Sequence, residues 1–374
     1  MEVSTGIAPR VTIIGAGNSG LTAAFHLSHN GCDVCLYGAP GFDKPLDEIK
    51  EHGGIESIAE IDGVALDYPG FAKIHTLTRD LSEAIAFSDI LLLPVPSFAQ
   101  MPLFEEMLPH LHDGQMLVYM PGNFGSLALR HRMHELNYNI DLTFVDTISS
   151  PWACRMMGPG EVAIMGLKKY MPLAALPASR NEEVAEILAP VLPLPIKLLS
   201  NVIEAGMENI NYGGHPLLTT LSMGLLENFE GKFDYYKDCC SVATSRAAAV
   251  MEEERIAIGH SIGFSLMSEL YAMNSLYGMN HSNVYDLNRQ SETHVKIHSG
   301  PANAQHRYIS EDVPYLLVPC KEFARLTGVK TPMIDACITI DNAYNQTDYL
   351  KVGRNLRVLG LDGLTLKEVM EKVA

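Results

Sequence analysis

Residues 11–28 read VTIIGAGNSGLTAAFHLS: an apolar run, the glycine-rich hexapeptide GAGNSG at 15–20, and then apolar residues at helical spacing. The run 11–14 predicts a strand, and the segment 19–28 predicts a helix. A Gly-x-Gly-x-x-Gly motif alone is a weak signal, because glycine-rich turns are common. Between a strand and a helix, however, it predicts a dinucleotide-binding loop rather than a structural turn.

Each residue of this loop has a physical role in the prediction. Gly15 permits the tight turn, Gly17 lets the backbone approach a pyrophosphate, and Gly20 lets helix and strand pack closely. Asn18 and Ser19 lie at the start of the helix, whose N-terminus faces the negative charge. We therefore predict that these five residues bind NAD or NADP.

The second predicted strand, 33–37, ends in Tyr37-Gly38-Ala39-Pro40. An NAD site usually has an acidic residue here, and an NADP site often has an arginine nearby. This chain has neither at that point, and Asp43 and Lys44 are close but out of register. The choice between NAD and NADP therefore stays open. Tyr37 either lies against the adenine ring, our predicted role for it, or belongs to the core.

Strand-like and helical patterns alternate through the first half of the chain, which predicts parallel βαβ units. The predicted strands beyond 33–37 are 89–95, 115–120, 142–146, 162–165 and 173–176, and the predicted helices beyond 19–28 are 80–86, 98–110, 127–136 and 182–189. The fold class is α/β, with an N-terminal Rossmann-type doubly wound parallel sheet.

Two strand ends carry further candidate residues. Val95-Pro96-Ser97 and Pro121-Gly122-Asn123 follow successive predicted strands. Ligands bind at the carboxyl ends of strands in an open α/β sheet, so Pro96, Ser97 and Asn123 are predicted to line the nicotinamide site. Ordinary turn chemistry is the alternative.

The pattern changes near residue 200, where the apolar spacing becomes three to four. This predicts an all-α C-terminal domain, with helices at 217–227, 241–263, 264–276, 315–326 and 332–344. We predict a dinucleotide-binding domain at 1–200 and a substrate-binding domain at 201–374. The charge run at 251–255 is interpreted as a solvated helix face.

Composition narrows the classes of function. The chain has 374 residues, long enough for two domains, and a formal net charge of −17. That charge disfavours nucleic acid and anionic membranes as partners. No apolar run approaches the roughly 18 residues of a membrane span, and residues 1–9 lack a signal-peptide pattern. Seven scattered cysteines favour reduced thiols in the cytoplasm, and no spacing suggests a metal site.

Three stretches carry a family resemblance. They are Asp146-Thr147-Ile148-Ser149-Ser150-Pro151-Trp152-Ala153-Cys154-Arg155, Asn211-Tyr212-Gly213-Gly214-His215-Pro216, and Arg307-Tyr308-Ile309-Ser310-Glu311-Asp312-Val313-Pro314 with Leu317-Val318-Pro319 and Thr331-Pro332-Met333-Ile334-Asp335 after it. Together they resemble the octopine/nopaline dehydrogenase family along the whole chain. The second and third stretches are the specific ones.

The resemblance implies an opine dehydrogenase. Such enzymes condense an amino acid with a 2-oxo acid such as pyruvate and reduce the imine with NAD(P)H. It also implies that His215 is the catalytic histidine, that Asp312 is its acidic partner, and that Arg307 binds a substrate carboxylate.

The residues support these roles on chemical grounds, with alternatives. His215 precedes Pro216, a good first residue for a helix, and histidine suits acid/base work near neutral pH. Arg307 is either a carboxylate binder or a solvated surface residue. Asp312 is either the partner carboxylate or the N-cap of the helix near residue 315, and Glu311 competes with it as the partner.

Two other functions are alternatives to that of an opine dehydrogenase. A glycerol-3-phosphate or ketopantoate reductase would need a catalytic lysine in the helical domain. Between residues 200 and 300 the chain has only Lys232, Lys237 and Lys296, and none of them lies in an apolar helical pattern with a nearby asparagine. A non-catalytic NAD(P)-sensing protein would need neither the histidine nor the arginine-to-aspartate stretch. The sequence leaves the oligomeric state open, and the large apolar helical domain is compatible with a homodimer.

Overall fold

The computed structural model describes residues 8–61, 63–291 and 299–374. Lys296 and most of the segment 1–9 lie outside the described residues. The chain divides into two compact units: Met1–Pro121 with Met133–Leu198, and Gly122–Arg132 with Leu199–Ala374. The sequence predicts a domain boundary between residues 200 and 201. It gives no indication that Gly122–Arg132 belongs to the second unit.

All the strands of the described chain lie in the first unit. They are β1 (Arg10–Ile14), β2 (Asp33–Tyr37), β3 (Ile55–Ser57), β4 (Glu60–Ile61), β5 (Val64–Ala65), β6 (Gly70–Ala72), β7 (Thr76–Thr78), β8 (Ile90–Leu93), β9 (Met116–Tyr119), β10 (Thr143–Thr147), β11 (Trp152–Gly158), β12 (Glu161–Leu167), β13 (Met171–Leu176) and β14 (Ile196–Leu198).

The helices divide between the units, and the described part of the second unit is helices and turns. They are α1 (Asn18–His29), α2 (Lys44–His52), α3 (Leu81–Phe87), α4 (Ser97–Met107), α5 (Gly125–Glu135), α6 (Asn181–Leu188), α7 (Val202–Met207), α8 (Asn211–Gly214), α9 (Pro216–Leu221), α10 (Met223–Phe229), α11 (Tyr235–Asp238), α12 (Val242–Ile262), α13 (Glu269–Tyr277), α14 (Val284–Gln290), α15 (Arg307–Ser310), α16 (Val318–Thr327), α17 (Pro332–Asn345), α18 (Tyr349–Val352) and α19 (Leu366–Val373). Short 3₁₀ turns lie at Leu108–His110 and Ala178–Arg180, and a π-helical turn at Val313–Leu317.

An eight-stranded sheet forms the centre of the first unit, in the order β14-β13-β10-β9-β8-β1-β2-β7. The strand order reverses between β1 and β8, which is the switch point where ligands bind in such sheets. Val11, Ile13 and Ile14 of β1 are fully buried, because a strand inside a doubly wound sheet is covered on both faces. The predicted fold class, a Rossmann-type sheet followed by an all-α region, is confirmed.

The sheet departs from the expected all-parallel arrangement at one edge. β13 pairs with β10 in the antiparallel direction, and β14 runs parallel to β13. The chain returns from β10 through the antiparallel pair β11 and β12 rather than through a crossover helix, and a parallel partner needs such a crossover.

A second sheet, in the order β11-β12-β3-β6, was not predicted. Of its strands, only β12 overlaps a predicted one. β3 and β6 have three residues each, too few for a periodic pattern to be recognised.

Two helix predictions in the second unit need correction. The segment 217–227 forms two helices, α9 and α10, that meet at Ser222. The predicted helix 264–276 begins only at Glu269, because Gly263 ends α12 with a φ of +106° and Ser268 caps α13 by accepting a hydrogen bond from the Tyr271 amide (3.2 Å).

The interpretation of 251–255 as a solvated face is wrong. Glu254 and Arg255 are 8% and 2% exposed. Arg255 donates to the carbonyl oxygens of Met207 (2.8 Å) and Met267 (2.6 Å), and Glu254 accepts from the Met333 amide (2.8 Å) at the start of α17. Carbonyl and amide partners replace water, so these charged groups can be buried inside the helical unit.

Candidate active site

The glycine loop leads from β1 into α1. Gly15 has a φ of +119°, and its amide donates to the carbonyl of Tyr37 (3.0 Å). A Cβ on Gly20 would lie 1.9 Å from the carbonyl oxygen of Gly15, so only glycine permits this approach. A Cβ on Gly17 would meet no protein atom within 4 Å, so the loop has open space on that side.

The start of α1 is suited to an anion. Gly17 is its N-cap, and no side chain of the described residues caps its first turn. Its backbone amides and the positive end of the helix dipole thus face the open space at Gly17. Asn18 Nδ2 donates to the carbonyl of Cys154 (2.8 Å), and Ser19 is the second residue of α1. These residues fit the pyrophosphate of a dinucleotide.

The segment after β8 lies beside this loop. Val95 Cγ1 would be 3.1 Å from a Cβ on Gly15. Pro96 is the N-cap of α4, and Ser97, its first residue, is 1% exposed. The structure places these residues at the carboxyl end of β8, beside the glycine loop, and their contact with a nicotinamide stays a prediction.

The other two residues that the sequence predicts to bind the cofactor, Tyr37 and Asn123, both contact other parts of the protein. The Tyr37 side chain is 3% exposed, and burial, with Glu106 adding to it, raises the pKa of its hydroxyl. This favours the core alternative over contact with an adenine ring. Asn123 lies in the second unit, where its Oδ1 accepts from Asn209 Nδ2 (2.7 Å) and its carbonyl accepts from Arg354.

His215 forms the centre of a cluster in the second unit. It lies between α8 and α9, where Pro216 is the first residue of α9. Its Nδ1 is 2.8 Å from Asp312 Oδ2, and its Nε2 is 3.0 Å from the Tyr236 hydroxyl. The Tyr308 ring stacks on the imidazole, with centroids 3.7 Å apart at 14°. A carboxylate at Nδ1 favours a proton on that nitrogen, so Nε2 accepts from Tyr236.

Burial controls the protonation of this pair. It lowers the pKa of His215 to about 3; the Arg307 cation acts in the same direction and Glu311 opposes it. Burial also raises the pKa of Asp312 well above its usual range, with Glu311 adding to the effect and Arg307 opposing it. The two groups share a hydrogen bond and titrate as a unit. With the shared proton on Nδ1 and the carboxylate ionised, the imidazole is neutral and Nε2 can take up a proton, which gives a carboxylate–imidazolium pair with no net charge.

Arg307 lies at the edge of the cluster. Its Nη2 is 2.8 Å from Glu311 Oε2; the Arg307 side chain is 55% exposed, whereas that of Glu311 is 1% exposed. One side of the guanidinium is anchored, and its exposed donors can bind a carboxylate. Glu311 thus pairs with Arg307, and Asp312, which makes no side-chain capping bond, contacts His215.

Sequence reasoning missed the tyrosines of the cluster. Tyr236 contacts Nε2 of His215, Tyr308 stacks on the ring, and the Tyr235 hydroxyl donates to the carbonyl of His215 (3.1 Å). The chain has 15 tyrosines, and residue type alone does not separate these from the rest. The one usable signal is that Tyr308 follows Arg307.

Comparison with known proteins assigns the family. The alpha-helical domain of the NAD/NADP octopine/nopaline dehydrogenases matches residues 198–345, and the N-terminus of NAD-dependent glycerol-3-phosphate dehydrogenase matches 10–122. The chain is 30% identical to the opine dehydrogenase of Arthrobacter sp. (strain 1C), over 96% of this chain and 98% of that protein. The chain belongs to the opine dehydrogenase family. It is an NAD(P)-dependent oxidoreductase that acts on CH–NH groups of small-molecule substrates.

A second relative is similar in sequence, and two solved structures are similar in fold. Protein ocs of Agrobacterium tumefaciens (strain Ach5) is 26% identical over 95% of this chain and 96% of that one. The solved structure of an octopine dehydrogenase with NADH and L-arginine has a TM-score of 0.74 at 18% identity, covering 97% of this opine dehydrogenase and 98% of that chain. Yersinopine dehydrogenase with NADP⁺ has a TM-score of 0.68 at 14% identity, covering 98% of each chain. The rival reductase and sensor functions are not favoured.

Among residues 8–61, 63–291 and 299–374, no helix has both the length and the apolar character needed to cross a bilayer. The same residues contain no group of three or more histidine, cysteine or acidic side chains placed to hold a metal ion.

Proposed function

We propose that this opine dehydrogenase joins the amino group of an amino acid to a 2-oxo acid such as pyruvate, and that His215, Asp312 and Arg307 act on these substrates. The observation that carries the proposal is the buried His215–Asp312 pair, with Arg307 beside it, in a member of this family. Solved octopine dehydrogenases of similar fold contain L-arginine or pyruvate together with NADH, which supports the same substrate classes here.

His215 is the acid/base group of the proposed condensation. The neutral imidazole takes a proton at Nε2 from the ammonium group of the amino acid, and the freed amine attacks the carbonyl carbon. A second proton passes from that amine nitrogen to the carbonyl oxygen, which gives a neutral carbinolamine. Nε2 then returns its proton to the carbinolamine hydroxyl, which leaves as water, and the product is a protonated imine. Asp312 holds the ring through Nδ1 and stabilises the imidazolium that forms.

Tyr236 marks the place of a substrate atom beside His215, and Arg307 binds a substrate carboxylate. The Tyr236 hydroxyl occupies the hydrogen-bonding direction of Nε2, and a substrate oxygen or nitrogen takes that place. Arg307 binds the carboxylate of the 2-oxo acid with its exposed donors, while Glu311 anchors its other side. When bound, the reduced dinucleotide supplies the hydride that converts the imine to the secondary amine.

The dinucleotide site is proposed at the glycine loop of the 1–200 domain, and the substrate site in the helical 201–374 domain. The proposed residues of the dinucleotide site are Gly15, Gly17, Asn18, Ser19, Gly20, Pro96 and Ser97, with Asn123 as a further candidate. Tyr37 contributes through its backbone, since its carbonyl accepts from the Gly15 amide while its ring is buried.

The test is NADH and NADPH oxidation by the purified enzyme with pyruvate and a panel of amino acids. We expect turnover only when both the amino acid and the 2-oxo acid are present, with a secondary amine as product by mass spectrometry. Turnover with the 2-oxo acid alone, giving a 2-hydroxy acid, would overturn the proposal.

We also propose a cytoplasmic location and a homodimer. Seven cysteines without disulfides support the first. Large apolar side chains exposed on the helical unit, among them Leu221, Phe229, Val242 and Tyr271, support the second. Light scattering during size-exclusion chromatography tests the dimer, and a monomer mass across micromolar concentrations would reject it.

A further inference from the structure

The end of β2 lacks the carboxylate that usually contacts the adenosine ribose. The residue at this point is Gly38, whose amide donates to the carbonyl of Thr78 (3.2 Å). A Cβ on Gly38 would lie 3.0 Å from the Cα of Asp43 and 2.9 Å from Cδ1 of Leu46. The chain therefore folds back over Gly38 and brings Asp43 to the place that a side chain of residue 38 would otherwise fill.

The side chain of Asp43 is held by an arginine of the neighbouring strand end. Asp43 precedes α2 but makes no side-chain capping bond. Its Oδ2 accepts from Nε of Arg79, which follows β7, and β7 pairs with β2 in the sheet. Nη2 of Arg79 also lies 2.8 Å from Oδ2 of Asp47. Arg79 therefore orients the Asp43 carboxylate at the carboxyl ends of β2 and β7.

The charges around this carboxylate suit a ribose hydroxyl better than a phosphate. Arg79 pairs with both Asp43 and Asp47, and Lys44 pairs with Glu48 at 2.8 Å. A ribose 2′-hydroxyl that approaches Asp43 meets a hydrogen-bond acceptor. A 2′-phosphate meets a carboxylate, and the nearby cations are already paired. The hydrogen bond from Arg79 lowers the pKa of Asp43, which keeps it ionised at neutral pH.

We propose that Asp43, oriented by Arg79, is the residue by which this enzyme selects NADH over NADPH. Its carboxylate accepts hydrogen bonds from the adenosine ribose hydroxyls and repels a 2′-phosphate. Asp43 is the specificity-determining group, and Arg79 is a positioning residue. The inference rests on the dinucleotide site of the proposed function and does not depend on the identity of the substrates.

The experiment measures Kd for NADH and for NADPH by fluorescence titration, without substrates, for the wild type and for Asp43→Ser. We expect the wild type to bind NADH at least about 10-fold more tightly than NADPH, since a hydrogen bond to a charged group is lost with the wrong nucleotide. Asp43→Ser is expected to weaken NADH binding by roughly 10- to 100-fold. It should also tighten NADPH binding, because Arg79 gains a free donor.

A double variant and a matched control sharpen the test. Asp43→Ser with Asp47→Asn releases Arg79 from both carboxylates and should move the preference further toward NADPH. Glu51→Gln removes one negative charge from the exposed surface of α2 while Lys44 keeps Glu48 and Arg79 keeps Asp43 and Asp47, so the NADH/NADPH ratio should stay within about twofold. The thermal unfolding midpoint of each variant checks that it is folded.

Equal wild-type affinities for the two nucleotides would overturn the proposal, as would an Asp43→Ser protein with an unchanged ratio. A shift of the same size in Glu51→Gln would also overturn it, because general charge and not Asp43 would then be responsible. Failure of the proposed function would give a different result from failure of this inference. The nucleotide preference would still follow Asp43, but no pair of amino acid and 2-oxo acid would be turned over.

Discussion

His215 and Asp312 are 97 residues apart in the chain, yet Nδ1 of the imidazole lies 2.8 Å from Oδ2 of the carboxylate. Pro216 begins the helix after the histidine, and a π-helical turn begins directly after the aspartate. Both side chains are largely buried, so water competes weakly for their hydrogen bond.

Gly17→Val should abolish tight dinucleotide binding and leave the fold intact. A Cβ at this position meets no protein atom within 4 Å, and the φ of −82° suits any residue. The valine therefore occupies only the space proposed for the pyrophosphate. Fluorescence titration with NADH should show a loss of affinity of at least about 10-fold, the worth of one or two charge-assisted bonds.

Gly20→Ala is the contrasting variant. Its Cβ would lie 1.9 Å from the carbonyl oxygen of Gly15, so the helix must move away from the strand. Overpacking of this kind costs about 1–3 kcal/mol of stability, measurable by chemical denaturation. If Gly17→Val binds NADH as the wild type does, the loop is not the dinucleotide site.

His215→Ala should lower kcat by roughly 10²–10⁴-fold, the usual contribution of a positioned acid/base group. The Kd for NADH should barely change, because His215 belongs to the helical unit and the glycine loop to the first unit. Steady-state kinetics with saturating substrates measures the first quantity, and titration measures the second. A variant that keeps near-wild-type kcat would remove His215 from the mechanism.

Asp312→Asn should act mainly on kcat. The amide oxygen can still accept from Nδ1 of His215, so ring orientation is kept while the negative charge is lost. Asn cannot supply the negative charge that balances the imidazolium, so proton uptake at Nε2 becomes less favourable and the pKa of the imidazole falls. The corresponding limb of the pH–rate profile should therefore move to lower pH. An unchanged kcat and an unchanged profile would reduce Asp312 to a structural residue.

Arg307→Met should raise KM for the 2-oxo acid more than it lowers kcat. Loss of one charged, bidentate contact costs about 1.5–3 kcal/mol, or roughly 10–150-fold in kcat/KM. Arg325→Met is the matched control, since Arg325 is similarly exposed and pairs with Glu322 at 3.2 Å. Equal effects of the two substitutions would mean that Arg307 is an ordinary surface residue.

Glu269 should make the stability of the protein depend on pH. Burial, with the charge of Glu252 adding to it, raises the pKa of Glu269 from 4.5 to about 8. The folded state thus binds a proton more tightly than the unfolded chain, so stability is greatest below about pH 4.5 for this group and falls as pH rises to about 8. Denaturation at pH 5, 6.5 and 8 should show this decline in the wild type.

The matched variant for this effect is Glu269→Gln, which has no charge to lose and should decline less over the same range. Parallel declines in both proteins would assign the pH dependence to other groups.

The sequence alone located the parts of the protein whose structure depends on residues adjacent in the chain. β1, the glycine loop and α1 were predicted from one continuous stretch, because a fully buried strand, a turn that needs glycine and a helix with a buried middle each impose their own residue pattern. The resemblance then selected His215, Arg307 and Asp312 by their neighbours in the chain. Neither argument reached Tyr236 or Tyr308, whose importance comes from contacts and not from local pattern.

Tertiary structure decided which of these groups work together. Only the folded chain shows that Asp312 and not Glu311 bonds His215, because adjacent residues point in different directions at the start of a helix. Only packing explains how the charge of Arg255 is buried, since its backbone partners come from distant segments. A sequence records residue type and spacing along the chain, whereas charge pairing and burial depend on distances across the fold, and those distances arise only when separate elements pack.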